Sequence, residues 1–237
     1  MQIFFVFFLW SSVFSEPGRV VFGYDRDKIL TYVFGILILK AVVLSARTVD
    51  IAGEISTGDI TNFLLKPINY FKYWFTRDIS SKALNLSFAA VEAGTLYIIL
   101  RPPFFLQTDP FLIFAFLVSL VAAVIIFFCL LFLVNLVAFW MPENGWAAQF
   151  LFIGILTESL SGGLFPLDIL PQVIQKVLYV MPFPYLLFFP LQVYLGKVPA
   201  EQVTVGLSIS YFWVLALAAS LNIVWNKGLR RYEAVGR

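Results

Sequence analysis

Six apolar runs separated by polar connectors recur along this chain. A bilayer core about 30 Å thick is crossed by roughly 20 apolar residues in a helix, so uninterrupted runs of this kind predict membrane-spanning helices. The sequence therefore predicts an all-α integral membrane protein, with one transmembrane domain over residues 1–237 and about six transmembrane helices. The predicted spans are about 1–14, 29–46, 83–100, 111–140, 147–164 and 203–225.

The first and fourth runs differ from an ordinary span. Residues 1–14 have no basic residue before them and no small-x-small site after them, so they lack the pattern of a signal peptide. An upstream start and a fragment of a longer chain are both left open. Residues 111–140 would form a helix about 45 Å long, which must tilt, kink or project from a core of roughly 30 Å.

Two connectors are too long to be simple turns. Residues 47–82 are too polar to cross a bilayer and too apolar to be disordered, and they contain Gly53, Gly58 and Pro67. Residues 165–201 are apolar but are interrupted by six prolines, which favours short broken helices between the fifth and sixth spans. Within that segment, residues 171–180 have the pattern of an amphipathic helix at the membrane interface.

The distribution of Lys and Arg predicts the orientation. With six spans, residues 47–82 and the tail after Trp225 lie on the same side, and together they hold nine of the sixteen Lys and Arg residues. Basic residues are retained on the cytoplasmic side, so both segments are predicted to be cytoplasmic and residues 165–201 to face outside. Five spans without the first run would give the same orientation for everything that follows.

Composition argues against a catalytic role. Apolar residues make up 61% of the chain and mean hydropathy is +0.90, far from the values of soluble domains. Histidine is absent, which removes the usual general base and imidazole metal ligand, and Cys129 is the only cysteine. Gly196-Lys197 lacks the earlier glycine of a phosphate-binding loop. We expect no enzymatic activity, no cofactor, no metal and no nucleic-acid partner.

Two carboxylates, Glu92 and Glu158, lie inside predicted spans. A charged side chain at the bilayer centre costs about 2.5–3.5 kcal/mol on insertion scales, so each invites an explanation. One hypothesis is a relay for protons or cations. The hypothesis that we favour from sequence is structural: an ion pair or a protonated acid that faces neighbouring helices, with Lys40 as the candidate partner of Glu92. Glu158 would then mark a polar helix end near water.

Two segments resemble a known family. Residues 54–68, EISTGDITNFLLKPI, resemble the first cytoplasmic loop of type-two ATP-binding-cassette permeases, particularly a bacterial subfamily long catalogued as of unknown function. Residues 161–171, SGGLFPLDILP, and the prolines that follow resemble the external segment between the fifth and sixth spans of that family. With the spacing of the spans, the resemblance covers nearly the whole chain. The shortened first span departs from the family pattern.

The resemblance implies a function and partners. In this family two permease subunits assemble with two separate ATPase subunits, and a cytoplasmic helix between the second and third spans docks on the ATPase. The chain would then be the membrane-spanning permease subunit of an exporter in a bacterial inner membrane, in a homodimer or heterodimer. The implied coupling loop comprises Gly58, Asp59, Phe63, Leu64, Leu65, Lys66 and Pro67. The simpler interpretation of these residues is an interfacial helix and turn that anchors the loop, and the two interpretations are compatible.

Two further functions are kept as alternatives. One is a proton-coupled secondary carrier that uses Glu92 or Glu158, and the other is a membrane assembly factor with no transport role. A carrier is expected to show internal repeats with paired broken helices, and this sequence has one broken region. No residue pattern specifies the transported substrate.

Overall fold

Three long helices dominate the computed structural model, which describes residues 2–14 and 20–235. They are α5 (Tyr70–Leu100), α6 (Pro110–Asn135) and α11 (Ala200–Val235), and α6 continues as a 3₁₀ turn over Leu136–Phe139. Asp109 begins α6: its side chain accepts a 2.8 Å hydrogen bond from the Phe111 N–H, and Pro110 occupies the first helical turn. Tyr70–Leu100, Pro110–Phe139 and Ala200–Tyr232 are long and apolar enough to cross a membrane.

The other predicted spans are shorter or bent. Helix α1 covers Gln2–Val13, and α2 (Arg26–Leu39) continues as a π-helix over Lys40–Leu44. Together with the segment Thr48–Thr57, which is bent away by 46°, the second helix meets the same criterion as one broken span. The fifth predicted span consists of α7 (Gly145–Phe150), a π-helix (Leu151–Thr157) and α8 (Glu158–Leu160).

The structure therefore supports an all-α membrane protein, and the part of the chain that it describes contains no β-strand. Among residues 2–14 and 20–235, three helices qualify as spans by length and composition, or four with the bent pair. The predicted count of six is not confirmed. Short helices also occupy the proline-rich segment: α9 (Gln172–Leu178), α10 (Phe188–Tyr194) and 3₁₀ turns over Leu167–Ile169 and Phe183–Tyr185.

The connector predicted at residues 47–82 requires a correction. It contains α3 (Ile51–Thr57) and α4 (Ile60–Leu64), but α5 already begins at Tyr70 rather than near residue 83. Asn69 caps this helix by accepting a 3.0 Å hydrogen bond from the Lys72 N–H. Residues 70–82 look like a loop in sequence because of their charges, whereas in the fold those charges lie on one helix.

Helix α6 lies at the centre of the fold and packs mainly against α11 and α10. An aromatic cluster joins α5, α6 and α11 near one end of the bundle. The ring of Trp225 stacks on Tyr70 with centroids 5.0 Å apart, and Phe71 and Phe132 pack at 5.1 and 6.2 Å from it. Large aromatic side chains dominate the energy of such contacts, so this cluster fixes how the three long helices meet.

Connectors gather at two ends of the molecule, which the length of α11 separates by about 48 Å between residues 200 and 232. At the first, which we call the loop end (residues 47–69, 140–145 and 226–232), the Ser56 hydroxyl donates to the Pro142 carbonyl at 2.9 Å. At the second, the proline end (residues 20–25, 101–109 and 165–199), the Gln107 amide donates to the Tyr194 carbonyl at 2.8 Å. Successive connectors thus alternate between the two ends.

Candidate functional site

The loop implied by the sequence resemblance forms a sharp turn at the loop end. Gly58 ends α3 with a φ of +89°, a left-handed conformation that glycine adopts without the steric cost that other residues meet. After the turn, the Thr57 hydroxyl donates to the Asp59 carboxylate at 2.7 Å. The side chain of Ile60 is fully buried. The chain therefore enters α4 from a defined direction.

Beyond α4 the apolar side chains project into the surroundings. Leu65 is 81% exposed, Leu64 and Ile68 are each 44% exposed, and Lys66 and Pro67 are also exposed. We call residues 64–68 the tip. Phe63 does not belong to it, because its ring packs inward on Tyr70 and Tyr73 with centroids 5.6 and 5.0 Å apart. Ile68 is a tip residue that the sequence analysis did not single out.

Two tyrosines connect the base of the tip to the long helices. The hydroxyl of Tyr232, near the end of α11, lies 3.1 Å from the Thr61 hydroxyl and donates to the Gly58 carbonyl at 3.4 Å. The hydroxyl of Tyr70, at the start of α5, donates to the Glu54 carboxylate at 2.7 Å. The tip thus stands on a base that is bonded to both α5 and α11.

A buried amide pair connects the same loop to α6 and α7. The side-chain oxygen of Asn135, which is fully buried, accepts from the Ala52 N–H at 3.3 Å and from the Gln149 amide. The Gln149 amide also donates to the Val49 carbonyl at 2.8 Å. This pair was not predicted from the sequence, although one Asn and one Gln, each within an otherwise apolar helix, are a signal of a buried polar contact.

A second buried site holds the start of the loop against α5. Lys82 and Asp78, 5% and 0% exposed, form an ion pair of 3.2 Å one helical turn apart. Lys82 also donates to the Val43 carbonyl at 3.0 Å and to the Ser45 carbonyl, while Asp78 accepts from the Arg47 N–H at 3.2 Å. The prediction that treated Lys82 as a loop charge is therefore wrong: it satisfies carbonyls at the end of the second helix.

The two intramembrane carboxylates differ in their surroundings. Glu158 forms an ion pair with Lys40 at 2.6 Å. Lys40 was expected to pair with Glu92, and this expectation is wrong because Glu158, 118 positions away in sequence, holds it. Within the described side chains Glu92 forms neither an ion pair nor a hydrogen bond, and it is exposed on α5. A cavity of about 260 Å³ lies between Glu92 and Lys40.

At the proline end, a polar cluster holds two connectors together. Lys197 forms a 2.7 Å ion pair with Asp168 and lies 3.0 Å from the centroid of the Tyr24 ring. The Tyr24 hydroxyl donates to Asp168 at 3.1 Å and accepts from the Gln192 amide. Burial lowers the pKa of Lys197, against the opposing effect of Asp168, and burial raises the pKa of Tyr24. Every member of this cluster has a partner, which fits a structural role.

No group of three or more Cys, Asp or Glu side chains within the described residues is arranged to hold a metal ion. The described residues combine an exposed apolar tip, buried and partly buried polar contacts between its base and four helices, and apolar helices of membrane-spanning length. Comparison with protein families gives a match to the model described as ABC-2 family transporter protein, over residues 1–236.

The chain belongs to the ABC-2 transporter family. The family resemblance carried by the two sequence motifs is therefore confirmed over nearly the whole chain. No curated protein and no solved structure matches it. Membership of the ABC-2 family, together with the long apolar helices, identifies a multi-pass membrane protein of the permease type.

Proposed function

We propose that this chain is the membrane-spanning permease subunit of an ATP-binding-cassette exporter in a bacterial inner membrane. It would form the translocation path with a second permease subunit, and ATP hydrolysis would occur on a separate ATPase subunit. The observation that carries the proposal is the match to the ABC-2 family over residues 1–236. The chain itself contributes a path and a two-state interface rather than bond chemistry.

The tip is the proposed docking element for the ATPase, on the cytoplasmic side. Leu64, Leu65 and Ile68 present an apolar surface, and Lys66 supplies a charged rim, which is the composition of a small protein interface. An exposed surface is not sufficient to transmit movement. The base of the tip is hydrogen-bonded to α5 and α11, so a displacement of the tip is expected to move these helices rather than deform a flexible loop.

Two routes lead from the tip into the membrane helices. One passes through Tyr70 and Tyr232 to α5 and α11, and the other through Ala52 to Asn135 and Gln149, hence to α6 and α7. Both routes consist of packed or hydrogen-bonded groups, which is the kind of contact that can couple distant sites. ATP-driven movement of the ATPase would thereby shift the helices between access states.

Leu65→Asp is expected to leave membrane insertion intact and to weaken ATPase binding by about tenfold or more. Loss of a central apolar contact at an interface typically weakens the binding free energy by about 2 kcal/mol or more. An aspartate at the same place also brings the energetic cost of burying a charge. The measurement is co-purification of the ATPase with the detergent-solubilised permease, alongside ATP turnover in reconstituted vesicles.

Leu106→Asp is the matched control, since Leu106 is 73% exposed at the proline end and should not contact a cytoplasmic ATPase. It is expected to behave like the wild type. Normal ATPase binding, turnover and export in a well-expressed Leu65→Asp variant would contradict the proposed docking element. Proton-driven transport by the chain without an ATPase would instead favour the secondary-carrier alternative.

A further inference from the structure

The cavity between Glu92 and Lys40 lies among four parts of the chain. Helix α1 contributes Val6 and Trp10, α2 and its extension contribute residues from Tyr32 to Lys40, and α5 contributes Glu92. Residues 163–166 complete the wall. Glu92 lies eight residues before Leu100, or about 12 Å of helix, so this carboxylate lies within the long apolar helix and not at its end.

The charges in this cavity do not cancel. The Lys40 ammonium is held by Glu158 at 2.6 Å, which neutralises both groups. Glu92 is the remaining carboxylate, and no described side chain pairs with it. Glu92 is exposed on α5 and lies at the edge of a cavity with mainly apolar walls. A carboxylate at membrane depth is unfavourable without a counter-charge, so the cavity has an electrostatic preference for a cation.

The walls restrict what kind of cation can enter. Trp10, Tyr32 and Phe165 supply aromatic surface, while Ile36 and Leu164 supply aliphatic surface. Aromatic faces attract organic cations, most strongly the indole of tryptophan, and they gain more when water is excluded. A volume of about 260 Å³ is close to the lower bound of small-molecule sites. A hydrated metal ion would gain nothing from these apolar walls.

We propose that this cavity binds an amphipathic organic cation, with Glu92 as its counter-charge and Trp10 as its aromatic contact. If the chain is an exporter permease, as proposed above, this names the chemical class of its cargo. Glu92 then has a binding role in place of the structural role favoured from sequence. Lys40 lines the cavity and is held by Glu158, which does not line it, so the two carboxylates have different roles: Glu158 neutralises Lys40, and Glu92 is left for the ligand.

The same cavity makes the opposite charge unfavourable. An amphipathic anion would have to displace Glu158 from Lys40 or accept repulsion from Glu92. A neutral molecule of the same shape would gain the apolar contacts but leave Glu92 without a counter-charge. The order of affinity expected from the geometry is therefore cation, then neutral analogue, then anion.

The test uses purified permease in nanodiscs of zwitterionic lipid, with tritiated benzyltrimethylammonium as the probe. Benzylsulfonate and neopentylbenzene serve as unlabelled anionic and neutral competitors with the same aromatic end. We expect saturable binding that unlabelled benzyltrimethylammonium displaces most effectively. Glu92→Gln is expected to weaken binding by about tenfold or more, which corresponds to about 1.4 kcal/mol. Trp10→Leu, which removes the aromatic face but no charge, is expected to weaken it by a smaller factor.

Glu201→Gln is the matched control, because Glu201 is exposed at the start of α11 and does not line the cavity. It should bind like the wild type. Absence of saturable binding, unchanged affinity in Glu92→Gln, or stronger competition by the sulfonate would overturn the inference. This test is independent of the exporter proposal. ATPase co-purification can succeed when cation binding fails, and cation binding can be observed when the ATPase does not co-purify.

Discussion

Lys82→Met is expected to destabilise the protein by about 3–5 kcal/mol, the usual cost of removing one partner from a buried ion pair. The substitution would leave the Asp78 carboxylate, which is fully buried, without its counter-charge. It would also remove the donor that satisfies the carbonyls of Val43 and Ser45 at the end of the second helix. Methionine is unbranched and close to lysine in length, so it preserves most of the apolar packing. The change in stability is therefore due mainly to the lost charge and hydrogen bonds.

The free energy of unfolding in mixed micelles, measured by SDS titration, checks this expectation. Lys72→Met is the matched control on the same helix, because Lys72 is exposed and should change stability by no more than about 0.5 kcal/mol. The double variant Asp78→Leu with Lys82→Met is expected to recover part of the loss, since no unpaired charge stays buried. Equal stability of Lys82→Met and the wild type would show that the pair does not hold the loop to α5.

Asn135→Leu is expected to detach the base of the loop from α6 and α7. The Ala52 N–H would lose its acceptor, and the Gln149 amide would keep its bond to the Val49 carbonyl but lose the one to Asn135. Each buried donor hydrogen left unpaired costs about 1–3 kcal/mol. Because the long helices keep their apolar contacts, we expect the chain still to fold and insert. The change should instead appear as loss of coupling between ATP turnover and transport, with the ATPase still bound.

Hydrogen–deuterium exchange measures whether residues 48–57 become less well anchored in this variant. Backbone amides in residues 48–57 are expected to exchange faster in Asn135→Leu, whereas those in the middle of α6 should not change. Asn144→Leu is the matched control, since Asn144 is exposed at the same end. Adding Gln149→Leu should return only a small part of the lost stability, because it removes the unpaired amide hydrogen but also the donor to the Val49 carbonyl. Unchanged exchange in residues 48–57 would mean that Asn135 does not anchor the loop.

Sequence patterns were sufficient for features that depend on local composition. The apolar run at 111–140 corresponds to α6 and its 3₁₀ continuation at Pro110–Phe139, and the run at 203–225 lies within α11. Gly58 was noted in the sequence as a residue of the connector at 47–82, and in the structure it ends α3 in a left-handed conformation. Residues 171–180 showed helical periodicity, and α9 forms there with Val173 and Val177 exposed. Each of these features is determined by neighbours within a few turns of helix.

The remaining features depend on pairs that are far apart in sequence. The contact of Lys40 with Glu158 spans 118 positions and that of Thr61 with Tyr232 spans 171, so no local window contains both partners. The start of α5 was placed too late because its charges are usually a sign of a loop. In the fold, Asp78 neutralises Lys82, and the Arg77 guanidinium lies 4.6 Å from the Trp74 ring centroid.

The most direct test of the central claim, that the tip transmits movement from an ATPase, is site-specific photo-crosslinking in the membrane. A photoreactive amino acid is placed at position 65 and, as the comparison, at position 106, in cells that also express the proposed ATPase partner. We expect a crosslink to the ATPase from position 65 whose yield changes with ATP, and none from position 106. A crosslink to the ATPase from position 106, or none from position 65 in a complex that still exports, would contradict it.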